Sequence, residues 1–413
     1  MTDSTAPDST APNPYVDRFG RVMMKSAPLP LAILERGEGA YVWSTDGTRY
    51  LDFLAGIAVN ALGHAHPAFL DAVTRQAGRL AHISNYFASA PQIELAERLT
   101  RLSGGDRVFF CSSGTEAMEA AVKLARLTGK PRILSLEGSF HGRTMGALSL
   151  TGKRSLQEPF EPLLPGAEQI PTTVEALEAA LAEGGVAALV VEPIKGELGI
   201  VDLPEGYLAE ARRLTTEHGA LLILDEIQTG AARTGNWFAF QGEGMLEPGT
   251  LPDAIALAKG IGGGIPIGAL VTFGAASDLF QKGQHGSTFG GNPLVTAVSN
   301  AVLGEIESAG LVEKSRLRGT QLRALVAGLN SPLVTDIQGR GLLVGIGLTH
   351  PVAGLVASEA FARGLIVNAA SEDRVRLAPP LIIGDTELAE FAEKFAATLA
   401  AVEATVALQE ARA

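Results

Sequence analysis

Short apolar runs alternate with amphipathic stretches through the middle of this chain, and that rhythm limits the folds open to it. VFF (108–110) leads into the helix-like TEAMEAAVKLARLTG, and RILSLE (132–137) follows the stop at Gly129–Pro131. VAALVVEP (186–193) precedes YLAEARRLTTEHG, and ALLILDE (220–226), AIALAK (254–259) and GALVTF (268–273) complete the series. A helix from about Asn292 to Ser308 closes the unit. Nearly continuous apolar strands joined by helices read as an α/β fold, with a mainly parallel sheet covered on both faces.

The C-terminal part reads differently. GLLVGIGL (341–348), GLIVNAA (364–370) and RVRLAPPL (374–381) alternate with helices such as ELAEFAEKFAATLAAVEA, which describes a smaller α+β unit. AYVWSTDGTRYLDF (40–53) has hairpin character about Asp46–Gly47 and is expected to join that unit. The resulting division is a disordered tail over 1–26, a segment over 27–60 contributing to the small domain, a large domain over 61–308 and the small domain over 309–413. No repeat of solenoid or propeller period is visible.

In LLILDEIQTG (221–230) an apolar run meets Asp225 and Glu226 directly. Burying an unpaired carboxylate costs several kcal/mol even after relaxation, so either the strand surfaces there or a positive group waits. Ligands of open α/β sheets collect at the carboxyl ends of strands. At those ends stand CSSGTEA, GSFHGRT, IKGE, DEIQTG and KGIGGG. In SSGTE (112–116), small residues just before a helix leave backbone N–H groups free at its positive end, which suits a phosphate; an ordinary cap by Ser113 or Thr115 is the plainer alternative. Lys259 also ends an apolar strand and is followed by glycines. A strand-end lysine, a buried aspartate and a helix N-terminus together meet the needs of pyridoxal phosphate. The lysine bonds to its aldehyde, the aspartate keeps its ring nitrogen protonated, and the helix end holds its phosphate.

Other chemistries fail on inspection. The Gly-rich stretch at 260–268 contains no strict G-x-G-x-x-G, and TGK (151–153) has Ala147 where a P-loop needs glycine. HExxH and CxxC are absent, and His64 and His66 are too close in sequence to share a helix face, so no metal is expected. The 33 Lys+Arg against 45 Asp+Glu give a net charge of -12, which disfavours nucleic acid and anionic lipid as partners. No run reaches the roughly 18 apolar residues of a membrane span. Cys111 stands alone and MTDSTAPDSTAPNP lacks a signal-peptide pattern, so a cytoplasmic location is expected.

The ordered stretches RGEGAYVWSTDGTRYLDFLAGIAVNALGHAHP, CSSGTEAMEAAVKLAR, FHGRTMGALSLTG, VEPIKGE, LLILDEIQTGAARTG, PDAIALAKGIGGGIPIGA, GSTFGGNP and VRLAPPL resemble the class III pyridoxal-phosphate-dependent aminotransferases. The likeness runs from about Leu29 to about Leu399 and implies a fold-type I transferase. It implies that Lys259 is the cofactor-bonded lysine and carries the proton during catalysis. Asp225 pairs with the ring nitrogen, and Gln228 lies near the ring's phenolic oxygen. Backbone groups of Ser113, Gly114 and Thr115 cradle the phosphate. Phe140 stacks on one ring face with His141 beside it, and Ile227 lies on the other face. Thr288 reaches the phosphate from a partner subunit, so a homodimer with shared active sites is implied, with Ser287 near the substrate. Arg143 binds a substrate carboxylate, Glu192 lines the site, and Glu197 with Arg376 admits two unlike substrates in turn.

The implied reaction moves an amino group between small amino and oxo acids by a ping-pong route. Glutamate is the expected donor. N-acetylornithine leads as its counterpart, with FHGR and SNYF leaning that way. Ornithine, succinylornithine, a carrier-linked lysine precursor and 4-aminobutyrate stay open, as does an aminomutase. Two departures stand out. Lys195 replaces the usual glutamine and places a cation beside Glu197, and MMKSA (23–27) lacks the tyrosine of ornithine-type members.

Overall fold

The computed structural model of the chain describes residues 14–26 and 28–411. Its largest sheet has seven strands, in spatial order Arg107–Cys111, Gly268–Thr272, Ala254–Leu257, Leu221–Asp225, Val186–Val191, Arg132–Leu136 and Ala167–Ile170. The last five are mutually parallel. Gly268–Thr272 runs antiparallel to both its neighbours, so Arg107–Cys111 points the same way as the five. Six carboxyl ends therefore share one edge of the sheet.

The runs are apolar at every position because both faces are covered. Side chains alternate across a strand. Leu222 and Leu224 accordingly pack into a core with Leu189, Val191, Tyr207 and Leu208, on the side of the Tyr207–Glu217 helix. Ile223 and Val190 face the other core, with Met118, Ala121 and Leu124 of the Gly114–Arg126 helix. Small residues dominate the buried stripe of that helix, which lets its backbone lie close to the sheet.

The hairpin about Asp46 is present. Tyr41–Ser44 and Arg49–Asp52 pair antiparallel, and Asp46 Oδ1 accepts from Ser44 Oγ at 2.5 Å and from the Thr48 amide at 3.0 Å. Arg49–Asp52 also pairs in parallel with Leu365–Ile366, so the N-terminal hairpin and the C-terminal region share one sheet. A second four-stranded sheet has the order Val334–Arg340, Leu343–Leu348, Arg374–Leu377, Asn368–Ala369. GLIVNAA, read from sequence as one strand, thus divides at Val367 and serves two sheets.

One expectation is corrected at the N-terminus. Pro14–Val22 is an α-helix within the stretch read as a disordered tail. Tyr15, Val16, Phe19 and Val22 recur at helical spacing, and Asp17 in the first turn with Arg21 in the last complements the helix dipole. Residues 1–13 of that tail lie outside the described residues.

Candidate active site

A cavity of about 510 Å³ opens where the carboxyl ends of the sheet converge. Ser113, Phe140, Glu192, Asp225 and Lys259 all line it, each arriving from a different strand end. That convergence is the one sequence order predicts for an open α/β sheet.

The helix Gly114–Arg126 begins at the cavity. Ser113 is its N-cap, with Oγ accepting from the Glu116 amide at 3.3 Å, while Glu116 Oε2 accepts from the Ser112 amide at 2.5 Å. The first-turn amides of Gly114 and Thr115 have no intrahelical acceptor and face the cavity end. Gly114 packs closely on Ile227: a Cβ there would stand 2.9 Å from Ile227 Cδ1, so a larger residue would have to displace that side chain. Thr115 Oγ1 contacts Thr144 Oγ1 at 2.7 Å, and Thr144 Oγ1 donates to Glu119 Oε1 at 2.5 Å, which ties this loop to the one carrying His141 and Arg143.

The two carboxylates that end the central strand serve different ends. Glu226 turns away from the cavity and accepts from Thr229 Oγ1 and from the Ala239 and Phe240 amides at 3.0 and 2.8 Å. Burial pushes its carboxyl up to about 7. Asp225 faces the cavity at 5% exposure. Its Oδ2 lies 2.8 Å from His141 Nδ1, and its Oδ1 accepts from the Ile227 amide at 3.1 Å. Nε2 of the buried His141 has no partner among the described residues.

Lys259 follows the strand Ala254–Leu257 with φ of 45°, a left-handed conformation that costs a lysine about 1 kcal/mol. Among the described residues no acceptor is bonded to its Nζ. Burial lowers the pKa of that amine; Arg376 pushes the same way, while Glu197 and Asp225 oppose it. A desolvated amine of depressed pKa is the form that acts as a nucleophile and base near neutrality.

Glu192 joins two loops. One carboxylate oxygen accepts from the Phe140 amide at 2.8 Å and the other from the Gly196 amide at 3.0 Å. Burial is the main cause that raises its carboxyl to about 7. Arg143 stands exposed at the cavity, 5.7 Å from the Phe140 ring, with no ion pair among the described residues. Arg376 is 1% exposed at its side chain and pairs with Glu197, whose side chain is 34% exposed. Arg376 Nη1 also donates to Gln228 Oε1 at 3.2 Å and to the Gly196 carbonyl at 3.3 Å. Gly196 lies so close to Gln228 that a Cβ would stand 2.4 Å from its Nε2.

Lys195 differs from its sequence reading. It is buried and turned away from Glu197; Nζ donates to the Glu137 carbonyl at 2.5 Å and to Thr172 Oγ1 at 2.6 Å. A continued strand would put Lys195 and Glu197 on one face, but the strand Ile194–Lys195 stops at Lys195 and the chain turns from Gly196, so that alternation is broken. Ser287 and Thr288 are not brought to the cavity within this chain. Ser287 Oγ accepts from the Gly290 amide at 3.1 Å, the Ser287 carbonyl accepts from Asn85 Nδ2 at 2.6 Å, and Thr288 is exposed. Among the described residues no group of side chains could hold a metal ion, and no helix is long and apolar enough to cross a membrane.

The cavity therefore fits pyridoxal phosphate on its own chemistry. It has a helix-end cradle, a buried carboxylate for a cationic ring nitrogen, and an unpaired, half-buried amine on the cavity wall for an aldehyde. The sequence profile of the family "Aminotransferase class-III" matches residues 22–399. The chain belongs to the class III aminotransferases, and so is a pyridoxal-phosphate-dependent aminotransferase. Its similarity reaches particular relatives. It is 50% identical over 377 residues to the acetylornithine aminotransferase of Streptomyces coelicolor, covering 91% of this chain and 92% of that one. It is 49% identical over 386 residues to the acetylornithine aminotransferase of Mycobacterium tuberculosis, covering 92% and 95%. Among solved structures, N-acetylornithine aminotransferase from Stenotrophomonas maltophilia superposes with a TM-score of 0.80 at 35% identity, covering 94% of this chain and all of that one. Ornithine aminotransferase from Toxoplasma gondii gives 0.89 at 31% identity, covering 95% of each.

Proposed function

We propose that this aminotransferase moves an amino group between glutamate and N-acetylglutamate 5-semialdehyde, giving 2-oxoglutarate and N-acetylornithine, a step of arginine biosynthesis. The relatives at about half identity are named acetylornithine aminotransferase, which supports N-acetylornithine as one substrate. The observation that carries it here is the pair of arginines: Arg143 unpaired at the cavity and Arg376 neutralised by Glu197. Glutamate presents two carboxylates and N-acetylornithine, reacting through its distal amine, presents one. A cavity with one free cation on its wall and one masked cation bonded to the wall residue Gln228 suits both.

Bound pyridoxal phosphate supplies an electron sink for the electron pair left when a proton leaves the substrate carbon. The chain's residues do the rest. The amides of Ser113, Gly114 and Thr115 would hold the phosphate. Asp225, fixed by His141 Nδ1 and the Ile227 amide, would hold its charge against the ring nitrogen. Phe140 and Ile227 would flank the ring, and Gln228 would stand by its phenolic oxygen. Lys259 Nζ would anchor the cofactor and then carry the proton to and from the reacting carbon. Arg143 would orient the carboxylate remote from the reacting amine of N-acetylornithine. Glu197 would mask Arg376 for that substrate and release it for the α-carboxylate of glutamate, since an unmasked guanidinium facing methylenes is a desolvated charge without a partner.

The division of the chain into a large domain over 61–308 and a small domain built from 27–60 and 309–413 is part of this reading. So are a cytoplasmic location and a homodimer in which Ser287 and Thr288 serve the partner's site. A substrate panel with the holoenzyme and 2-oxoglutarate tests the assignment. N-acetylornithine should give the highest kcat/KM. A higher value for ornithine or 4-aminobutyrate would overturn it.

A further inference from the structure

Arg376 is held by more than Glu197. Asn368 and Arg376 face each other in register, as the partners of two antiparallel strands, Asn368–Ala369 and Arg374–Leu377. Asn368 Oδ1 accepts from Arg376 Nη2 at 2.7 Å. The guanidinium thus has one carboxylate partner and three neutral ones: the Asn368 amide, the Gln228 amide and the Gly196 carbonyl. Glu197 is about a third exposed at its side chain, whereas Arg376 is buried.

We propose that Asn368 is a specificity-determining positioning residue, which fixes the Arg376 guanidinium without neutralising it. This rests on the dual-substrate reading above. When Glu197 withdraws, the neutral acceptors keep the arginine where it is, and its charge becomes available to a carboxylate. A charged acceptor at 368 would hold the same geometry but cancel the charge. An apolar residue would leave the charge but free the geometry. Neutral and polar is the combination that lets one movable carboxylate decide which substrate is admitted. Nothing in the sequence hints at this role, because Asn368 lies in an ordinary strand motif and only the register places it opposite Arg376.

The test is Asn368→Asp, which keeps size and acceptor position, beside Asn368→Leu. Each half-reaction is followed by single-turnover absorbance. Inhibition by glutarate, a dicarboxylate without an amine, is measured in parallel. For Asn368→Asp the ratio of kcat/KM for glutamate to that for N-acetylornithine should fall at least about tenfold, through KM, as expected when a second carboxylate competes for one guanidinium. Glutarate inhibition should weaken by a similar factor. Asn368→Leu should weaken glutarate binding too, with a smaller shift in the ratio. Equal losses in both half-reactions with unchanged glutarate inhibition would overturn the proposal and leave Asn368 a purely structural strand residue. A failure of the substrate assignment is separable. If wild type does not react with N-acetylornithine, the glutarate measurement still tests Asn368 alone, and unchanged inhibition in Asn368→Asp would still overturn it.

Discussion

Replacing Asp225 by asparagine and by alanine separates charge from geometry at the base of the cavity. Asp225 is tied to His141 Nδ1 at 2.8 Å and to the Ile227 amide at 3.1 Å. Alanine removes both acceptors. His141, whose Nε2 is already without a partner among the described residues, then has neither ring nitrogen bonded, and the Ile227 amide loses its acceptor. Each unsatisfied buried group costs about 1–3 kcal/mol, so the two left by Asp225→Ala should lower the stability of the cofactor-free protein by about 2–6 kcal/mol. Asparagine keeps an oxygen for the Ile227 amide, and its NH₂ can donate to His141 in the other tautomer, so the cofactor-free protein should stay within about 1 kcal/mol of wild type. Both variants lose the charge facing the ring nitrogen. Removing one member of a buried ionic pair costs about 3–5 kcal/mol, which is a factor of a few hundred to a few thousand. Denaturant unfolding of the cofactor-free protein reads the first effect, and titration with pyridoxal phosphate together with turnover reads the second. Near-wild-type turnover in Asp225→Asn would refute the reasoning, because it would show that the carboxylate acts only as a hydrogen-bond acceptor.

Lys259→Ala should abolish the visible absorbance of the lysine-bound cofactor while leaving the fold intact by circular dichroism; retained absorbance would move the anchor elsewhere. Lys195→Met leaves the Glu137 carbonyl without its donor, and since that carbonyl precedes the loop carrying Phe140 and Arg143, substrate KM should rise about threefold to tenfold, the factor of one lost hydrogen bond. Lys195→Gln retains a donor and should recover most of this; identical KM values in the two variants would show that the carbonyl needs none. Burial raises the Glu226 carboxyl from 4.5 to about 7, so between those values the folded form holds a proton that the unfolded form has released, and this stabilisation is full below 4.5 and lost as pH rises through 7. Each tenfold change in proton affinity is worth about 1.36 kcal/mol, so the stability cost of Glu226→Leu should be about 2–3 kcal/mol larger at pH 5 than at pH 8. A pH-independent cost in unfolding titrations would contradict this. In mixed dimers of Lys259→Ala and Thr288→Ala chains, activity should recover, because one site in each holds neither lesion; none recovered from dimers shown to form would place each site within one chain.

Much of the site was legible in the sequence because the α/β rhythm places strand ends together whatever the intervening lengths. Asp225, Lys259, Ser113 and Phe140 each end or follow an apolar run, and the cavity brings them together. Less legible was anything that depends on register or on which way a side chain turns. Asp225 and Glu226 are adjacent and chemically alike, yet only alternation across the strand decides that one meets the cavity and the other a turn of backbone amides. Lys195 reads as a cation beside Glu197 but is buried against Glu137 and Thr172 on the far side of the turn. Asn368 was invisible for the same reason, since its pairing with Arg376 is fixed by strand register. The disordered reading of the tail rests on the polar, Pro/Ser/Thr-rich composition of MTDSTAPDSTAPNP, which does not describe PYVDRFGRV, where apolar residues recur at helical spacing.

The central claim is that one cavity alternates between two unlike substrates. It is tested most directly by running the two half-reactions in sequence on a single sample of holoenzyme. Addition of N-acetylornithine without an acceptor should discharge the visible absorbance of the lysine-bound cofactor in one turnover, and 2-oxoglutarate added afterwards should restore it with release of one equivalent of glutamate per site. Absorbance unchanged by N-acetylornithine, or discharged and not restored by 2-oxoglutarate, would contradict the account.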